Sequence, residues 1–143
     1  MPADGGSYVL LLRLPAARRI AVGKLGSFAF RRGYYLYVGS ALRGLSARIA
    51  RHRRHPKPPH WHIDYLRNHC AGVQAYAVRS TARLECRIAR ALGDVFEPGP
   101  PRFGASDCRC PTHLFYAGRR PTDAEMFRIL SRFTRRNRSV AKA

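Results

Sequence analysis

Acidic side chains are much scarcer than basic ones in this sequence, which makes each carboxylate a candidate for chemistry. Eight aspartates and glutamates stand against 27 lysines and arginines. Glu85 lies on the edge of an apolar helical stripe that contains Leu84 and Ile88. Two interpretations of it are open: a helix carboxylate paired with a nearby arginine, or a hard oxygen ligand for a divalent cation. Apart from Asp64, the other acids fit terminal, loop or helix-start positions (Asp4, Asp94, Glu97, Asp107, Asp123 and Glu125).

Arg48 and His52 form a second group of candidates. They are four residues apart, so on one helix they project from the same face, one turn from each other. Taken alone, this spacing is a weak indication of a site, because chance pairs are frequent in so basic a helix.

The sequence also contains a Cys-x-Cys-x-x-His motif formed by Cys108, Cys110 and His113. Structural zinc sites more often place two to four residues between the cysteines, and the sequence identifies no fourth ligand. Two interpretations stay open, zinc binding and a buried turn packed against "HWHIDYL" at 60–66, and we favour the turn. Distant partners for a metal are also present (Cys86, His60 and His62).

The formal charge of +19 predicts a polyanionic partner, and nucleic acid is the obvious one. Arginine suits bidentate phosphate contacts, although a GC-rich coding bias would also raise its content. Trp61 is suited to stacking on an unpaired base or to packing in the core. Five basic residues are predicted to grip a nucleic-acid backbone without reading its sequence, the alternative being a solvated helix face (Arg43, Arg51, Arg53, Arg54 and Lys57).

The elements that must position these residues begin with strands. We predict a strand at 8–14, a strand pair or one bent strand at 20–23 and 27–30, and a strand at 34–39. Alternation along the last of these places Tyr35 and Tyr37 on one face and Tyr34, Leu36 and Val38 on the other.

Helical periodicity starts at Leu42 and should stop near His55, before "HPKPP". Further along, we predict a short helix at 61–69, a strand at 73–78, a helix at 81–92 capped by Gly93, a loop at 97–104, and a helix from 122 with Thr122 as N-cap. The tail from 134 is expected to fray. Early strands with later interleaved helices indicate an α/β (α+β) class, with residues 1–120 as the main domain and 121–143 as a C-terminal helix and basic tail.

Other features bear on the class of protein. The longest apolar run, "YVLLL", is far too short to span a bilayer, and "MPADGGS" lacks the features of a secretory signal. We therefore expect a cytoplasmic protein that does not act at a membrane. Four cysteines without a secretion signal are expected to be reduced thiols.

Several motifs together resemble those of the GIY-YIG endonuclease superfamily. Tyr37-Val38-Gly39, a nine-residue step to Arg48, and then His52 are similar to the second half of its signature, and Gly6-Ser7-Tyr8 to the first half. Glu85 matches the metal-binding glutamate. The segments "YVGSA", "RIARH", "HWHIDYL", "LEC" and "FGASDCRCPTHLFY" resemble the small single-domain Uri-type branch, so the resemblance covers residues 6 to about 116.

This resemblance implies a compact domain with a mostly antiparallel central sheet flanked by helices and a DNA endonuclease activity. Mg²⁺ or Mn²⁺ would bind Glu85, Arg48 would hold the scissile phosphate, and Tyr8 or Tyr37, with His52, would orient or deprotonate the attacking water. Some relatives in that branch are fused to endonuclease III type repair enzymes, which implies DNA repair or processing and association with repair enzymes. Strong sequence specificity is not expected, because 143 residues leave no room for a separate recognition domain.

This sequence departs from the family pattern in two places. Tyr8 and Tyr37 are 29 residues apart, much farther than in the family, which predicts an inserted strand or hairpin at about 15–32. Glu97 stands where several relatives have an asparagine. Two alternative functions are a catalytically inactive nucleic-acid-binding module of the same fold and a basic RNA- or ribosome-associated protein.

Overall fold

A computed structural model describes residues 4–134 and 140–142, which form eight strands and four α-helices. The helices are α1 (Leu45–Arg53), α2 (His62–Arg67), α3 (Glu85–Gly93) and α4 (Asp123–Leu130). The strands are β1 (Gly6–Leu14), β2 (Arg18–Val22), β3 (Gly26–Phe30), β4 (Gly33–Ala41), β5 (Gly72–Arg79), β6 (Glu97–Pro98), β7 (Leu114–Ala117) and β8 (Val140–Lys142).

Six strands make one sheet in the order β6-β7-β4-β1-β5-β8, and all neighbours in it are antiparallel. β1 and β4 lie at its centre, paired along nine residues so that Tyr8 faces Gly39 and Leu10 faces Tyr37. The α+β class and the antiparallel sheet agree with the sequence prediction. No helix within 4–134 or 140–142 has the length and apolar character needed to cross a membrane.

Alternation along the central strands divides the core into two layers. One face of the sheet carries Tyr8, Tyr35 and Tyr37 and is covered by α1, α2 and the loop around Phe103. The opposite face carries Leu36 and Val38 and is covered by α3 and α4. The predicted division of the tyrosine strand into two faces is confirmed. The run from Tyr8 to Leu12 in β1 is apolar on both faces because both faces are buried there, and Arg13 is the one exposed residue of that strand.

The insertion predicted at 15–32 is a hairpin. β2 and β3 pair as a separate two-stranded sheet from Arg18↔Phe30 to Val22↔Gly26. Ile20, Val22 and Phe30 bury their side chains in the layer that contains the tyrosines. The insertion therefore enlarges the core on the side where the candidate residues lie.

The first long helix begins later than its apolar pattern predicts. Leu42 is 38% exposed and precedes the helix, which starts at Leu45 after Gly44 in a left-handed conformation (φ 66°). Gly39, which precedes this helix, lies inside β4. A Cβ there would lie 2.5 Å from Cζ of Tyr8, so Gly39 makes room for that ring.

One of the later helices, α3, is shifted in the same way. α3 starts at Glu85 instead of 81, and Gly93 is its last residue, followed by Asp94 in a right-handed conformation, so Gly93 is not a left-handed cap. The predicted start of α4 is confirmed, since Thr122 accepts a hydrogen bond from the Glu125 amide in a capping box.

Two predicted irregular segments contribute strands to the sheet edges. Glu97 and Pro98 pair with β7, within the predicted loop at 97–104. Val140–Lys142, predicted to fray, pairs with β5. Residues 135–139 and 143 of the predicted tail lie outside the described residues.

The Gly39→Ala variant tests the contact between β4 and Tyr8. A methyl group at this position collides with a ring that is 2% exposed, so we expect a loss of about 1–3 kcal/mol in the free energy of unfolding, measured in urea. Gly72→Ala is the matched control, because a Cβ on that strand glycine meets nothing within 4 Å. Equal stability of the two variants would contradict the proposed role of Gly39.

Candidate functional site

A cleft of about 530 Å³ opens on the tyrosine side of the sheet. Its walls include the end of β4, α1, the segment at 60–62 that leads into α2, the start of α3 and the loop at 104–108. The lining residues are Tyr8, Tyr37, Gly39, Ser40, Arg48, His60, Trp61, His62, Arg83, Glu85, Cys86, Gly104, Ser106, Asp107, Cys108 and His113. The structure thus brings four of the predicted site residues together in one cleft, and a fifth, His52, lies directly behind Tyr8.

Tyr8 and His52 share a buried hydrogen bond of 2.8 Å between the phenolic oxygen and Nε2. Burial raises the pKa of Tyr8 to about 12, against the lowering effect of Arg48. Burial lowers the pKa of His52 to about 3. Both shifts oppose proton transfer from the phenol to the imidazole, so the pair is neutral in the free protein at ordinary pH.

Tyr37 lies beside Tyr8, with their ring centroids 6.5 Å apart. Burial is the main cause that raises the pKa of Tyr37 well above its usual value, and the nearby Tyr8 and Glu85 act in the same direction. In the described part of the chain its hydroxyl has no hydrogen-bond partner, and the side chain lines the cleft. Its burial and these neighbours therefore disfavour ionisation of Tyr37.

Arg48 lies at the cleft wall between β4 and Trp61. Its Nη1 donates a hydrogen bond of 3.1 Å to the Ser40 carbonyl, and its guanidinium carbon lies 4.5 Å from the centroid of the Trp61 ring. None of the ion pairs among the described residues includes Arg48. Its positive charge is therefore available to an anion in the cleft.

Glu85 is the first residue of α3 and faces the cleft with its side chain 26% exposed. Oε1 accepts a hydrogen bond of 2.9 Å from the Ser40 hydroxyl, and Oε2 lies 3.9 Å from Nδ1 of His113. Within the described ranges Glu85 makes no ion pair with an arginine. The interpretation of Glu85 as an arginine-paired helix carboxylate is therefore wrong. Ser40, which the sequence analysis did not single out, connects Glu85 to Arg48.

A cluster of three cysteines and one histidine borders the same cleft. One ligand atom from each of Cys86, Cys108, Cys110 and His113 lies within 4.8 Å of the others, and the four could hold a metal ion. All four cysteines of the chain are free thiols. Cys86, one of the distant partners that the sequence offers, reaches the motif across the fold and brings a fourth ligand atom to it. His60 and His62 do not belong to the cluster.

The predicted packing of the turn is also present. Nδ1 of His62 accepts a hydrogen bond of 2.9 Å from the Gly104 amide, and its ring contacts Phe103 at 5.7 Å between centroids. The turn thus packs against the 60–66 segment while its cysteines face Cys86. The two interpretations of the motif are compatible.

The residues predicted to grip nucleic acid fall into two groups. Arg43, Arg53 and Arg54 are exposed. Arg51 forms a bidentate pair with the buried Asp64 through two contacts of 3.0 Å, and the Lys57 ammonium donates to the Arg54 carbonyl. The first three are free to contact a ligand, whereas Arg51 and Lys57 also have contacts within the protein.

Two further residues hold α1 and the cleft wall in place. Trp61 lies against the Arg51 guanidinium at 4.3 Å as well as against Arg48. Arg67 is buried and donates to the carbonyls of His52, Arg53 and Cys70 at distances of 2.7–3.1 Å. A cation at the C-terminal end of a helix satisfies free carbonyls and favours the helix dipole. No local pattern in the sequence distinguishes Arg67 from the surface arginines.

The fold and the cleft define a small α+β protein in which tyrosine, arginine and glutamate side chains meet beside a cluster of soft metal ligands. The chain belongs to the family described as "Domain of unknown function DUF123", whose model matches residues 7–135. No curated protein and no solved structure matches the chain.

The buried state of His52 predicts how stability depends on pH. An unfolded histidine titrates near pH 6.5, so between about pH 6.5 and 3 the unfolded chain binds the proton that folded His52 excludes. The free energy of unfolding should therefore fall as the pH falls through this window, by up to about 1.4 kcal/mol per pH unit from this residue. Urea unfolding of the parent and of His52→Gln between about pH 4.5 and 6.5 measures the effect.

Other histidines contribute equally to both proteins, so the difference between the two slopes isolates His52. We expect a shallower dependence for His52→Gln. Parallel slopes would show that His52 is not buried in its neutral form.

Proposed function

We propose that this protein is a DNA endonuclease that hydrolyses phosphodiester bonds with the help of Mg²⁺ or Mn²⁺, in a domain of the GIY-YIG type, Uri branch. The observation that carries the proposal is the convergence of Tyr8, Tyr37, Arg48 and Glu85 in one cleft from four separate elements. These are the residues at which the sequence resembles that superfamily. A role in DNA repair or processing, alongside repair enzymes, belongs to the same proposal.

The charge of the chain supports a nucleic-acid substrate. Its net +19 attracts a polyanion, and two arginines line the cleft: the exposed Arg83, and Arg48, which forms no ion pair with any described residue. We assign Arg48 to the scissile phosphate, because a charge fixed by Ser40 and Trp61 needs no reorganisation when negative charge develops there. Arg43, Arg53 and Arg54 contact the backbone farther along the strand.

Tyr8 is the better candidate for the general base. His52 holds its phenolic oxygen in position through the 2.8 Å hydrogen bond, whereas no such partner holds the Tyr37 hydroxyl among the described residues. The positive charge of Arg48 favours ionisation of the Tyr8 phenol. The negative charge of a bound phosphate would act in the opposite direction. We assign Tyr8 to proton removal from the attacking water, with His52 as its positioning partner and Tyr37 as a group that orients that water.

The donor set at Glu85 fits a hard divalent cation. The carboxylate is accessible from the cleft, and its two oxygens offer more acceptor sites than the Ser40 hydroxyl occupies. Mg²⁺ retains several waters and needs only one or two protein carboxylates. When bound there, the cation would supply stabilisation of the charge that develops on the phosphate oxygens.

Two variants test the roles assigned to Arg48 and Glu85. With Mg²⁺ present, Arg48→Ala and Glu85→Ala should each cleave DNA at least about 100-fold more slowly than the parent, because each removes charge stabilisation in the transition state. Arg87→Ala and Glu97→Ala, which change exposed residues outside the cleft lining, are the matched controls and should keep the parent rate. Purified proteins are incubated with single-stranded, duplex and branched DNA, with Mg²⁺ or with EDTA, and the products are resolved on denaturing gels.

Each alternative function has a distinct outcome in this assay. Binding of DNA without metal-dependent nicking would favour an inactive nucleic-acid-binding module. Preferential binding of RNA in a parallel series would favour the RNA-associated alternative. Full activity of Glu85→Ala with Mg²⁺ would overturn the metal assignment.

The pH dependence of cleavage separates the two tyrosines. A base with a pKa of about 12 is only slightly ionised near neutrality, so the rate should rise up to about tenfold per pH unit from neutral into alkaline solution. Tyr8→Phe should lower the rate and flatten this profile, whereas Tyr37→Phe should lower the rate and keep the slope. The reverse pattern would assign the base to Tyr37, and a flat parent profile would exclude both.

A further inference from the structure

We propose that Cys86, Cys108, Cys110 and His113 bind one structural Zn²⁺, which fixes the first turn of α3 to the loop before β7. The inference concerns the cluster beside the proposed catalytic residues and does not depend on nuclease activity.

The spacing of the ligand atoms is close to that of a tetrahedral zinc site. With Zn–S distances of about 2.3 Å and Zn–N of about 2.0–2.1 Å, the edges of such a tetrahedron measure about 3.5–3.8 Å. Nε2 of His113 lies 3.5 Å from the Cys108 sulfur and 3.9 Å from the Cys86 sulfur. All four ligand atoms lie within 4.8 Å of one another. The side chains therefore already surround a position of the right size.

The chemistry of the donors selects the ion. Three thiols and an imidazole are soft or borderline ligands, which suit zinc and are poor partners for Mg²⁺. All four tetrahedral positions come from the protein, so none is left for a water or a substrate. This is the arrangement of a structural zinc site, and it differs in kind from the hard oxygen donor at Glu85.

The histidine is oriented for this role. Its Nε2 points at the sulfurs, and its buried Nδ1 has no hydrogen bond among the described residues. The nearest carboxylate to Nδ1 is Glu85, at 3.9 Å from Oε2. Metal-binding histidines usually direct their second nitrogen towards such an acceptor. If the proposed function holds as well, Glu85 supports the zinc ligand and binds the catalytic cation.

Hydrogen bonds to backbone groups hold the shape of the loop that carries three of the ligands. Arg102, at a positive φ of 64°, donates from its guanidinium to the carbonyls of Cys108 and Cys110 at 2.6 and 2.8 Å. His113 is tied on both sides, since its amide donates to the Phe103 carbonyl and its carbonyl accepts from Val38. The cluster is thus built on a fixed loop attached to the central sheet.

Metal analysis of the reduced full-length protein, purified from zinc-supplemented cells, tests the proposal. We expect one zinc per chain and an X-ray absorption spectrum that fits three sulfurs at about 2.3 Å and one nitrogen at about 2.0–2.1 Å. Cys108→Ser should lose the zinc, and its melting temperature should fall by at least about 5 °C. Cys70→Ser is the matched control: its buried thiol donates to the Leu66 carbonyl outside the cluster, and this variant should keep the zinc.

The spectrum of the parent protein needs no variant, so the test remains decisive even if Cys108→Ser does not fold. Absence of zinc from the reduced parent, a different metal in its place, or a ligand set other than three sulfurs and one nitrogen would overturn the proposal. Zinc content is measured without DNA, and Glu85→Ala should retain zinc while losing cleavage. A protein that contains zinc but cuts no DNA would therefore refute the proposed function alone.

Discussion

The pairing register of β1 with β4 is the constraint on which the candidate site depends. It sets Tyr8 opposite Gly39 and brings the Tyr8 and Tyr37 rings to the same face of the sheet, 6.5 Å apart. A slip of one residue between the two strands would place the two rings on opposite faces, with one of them turned towards the layer formed by α3 and α4. The apolar side chains on both faces oppose such a slip, because each layer would then have to bury the residues suited to the other. The site and the core are thus fixed by the same register.

A second set of contacts uses charge to hold α1 over that face. Asp64 is fully buried, which would be costly without partners, but it accepts from the Arg51 guanidinium and from the amides of His60 and Trp61. Arg67 binds the carbonyls of His52 and Arg53 in the same last turn of α1. With α1 anchored at these points, Arg48 and His52 keep fixed positions relative to Tyr8. In a chain of such high positive charge, this acid serves structure while Glu85 faces the cleft.

The sequence predicts those parts of the molecule that depend on local periodicity and spacing. Alternation gives the two faces of β4, the 29-residue spacing of the tyrosines indicates the β2–β3 hairpin, and Thr122 marks the start of α4. Contacts between distant segments are beyond such reasoning: Cys86 is 22 residues from Cys108, and the pairing of β8 with β5 is visible only once the sheet is assembled. Ser40 and Arg67 were missed for the same reason, because their hydrogen-bond partners come from other elements.

The first turn of α3 combines two kinds of cation ligand in successive residues. Glu85 offers hard oxygen to the cleft, and Cys86 offers a soft sulfur to the cluster behind it. The N-terminus of a helix carries partial positive charge, which disfavours a cation but favours an anionic side chain. A carboxylate or a thiolate is therefore a better cation ligand at this position than a neutral group. In the proposed arrangement the zinc holds this turn rigidly against the loop before β7. The orientation of Glu85 towards Ser40 and Arg48 then depends on a metal that takes no part in the reaction, and the soft site stabilises the geometry that the hard site requires.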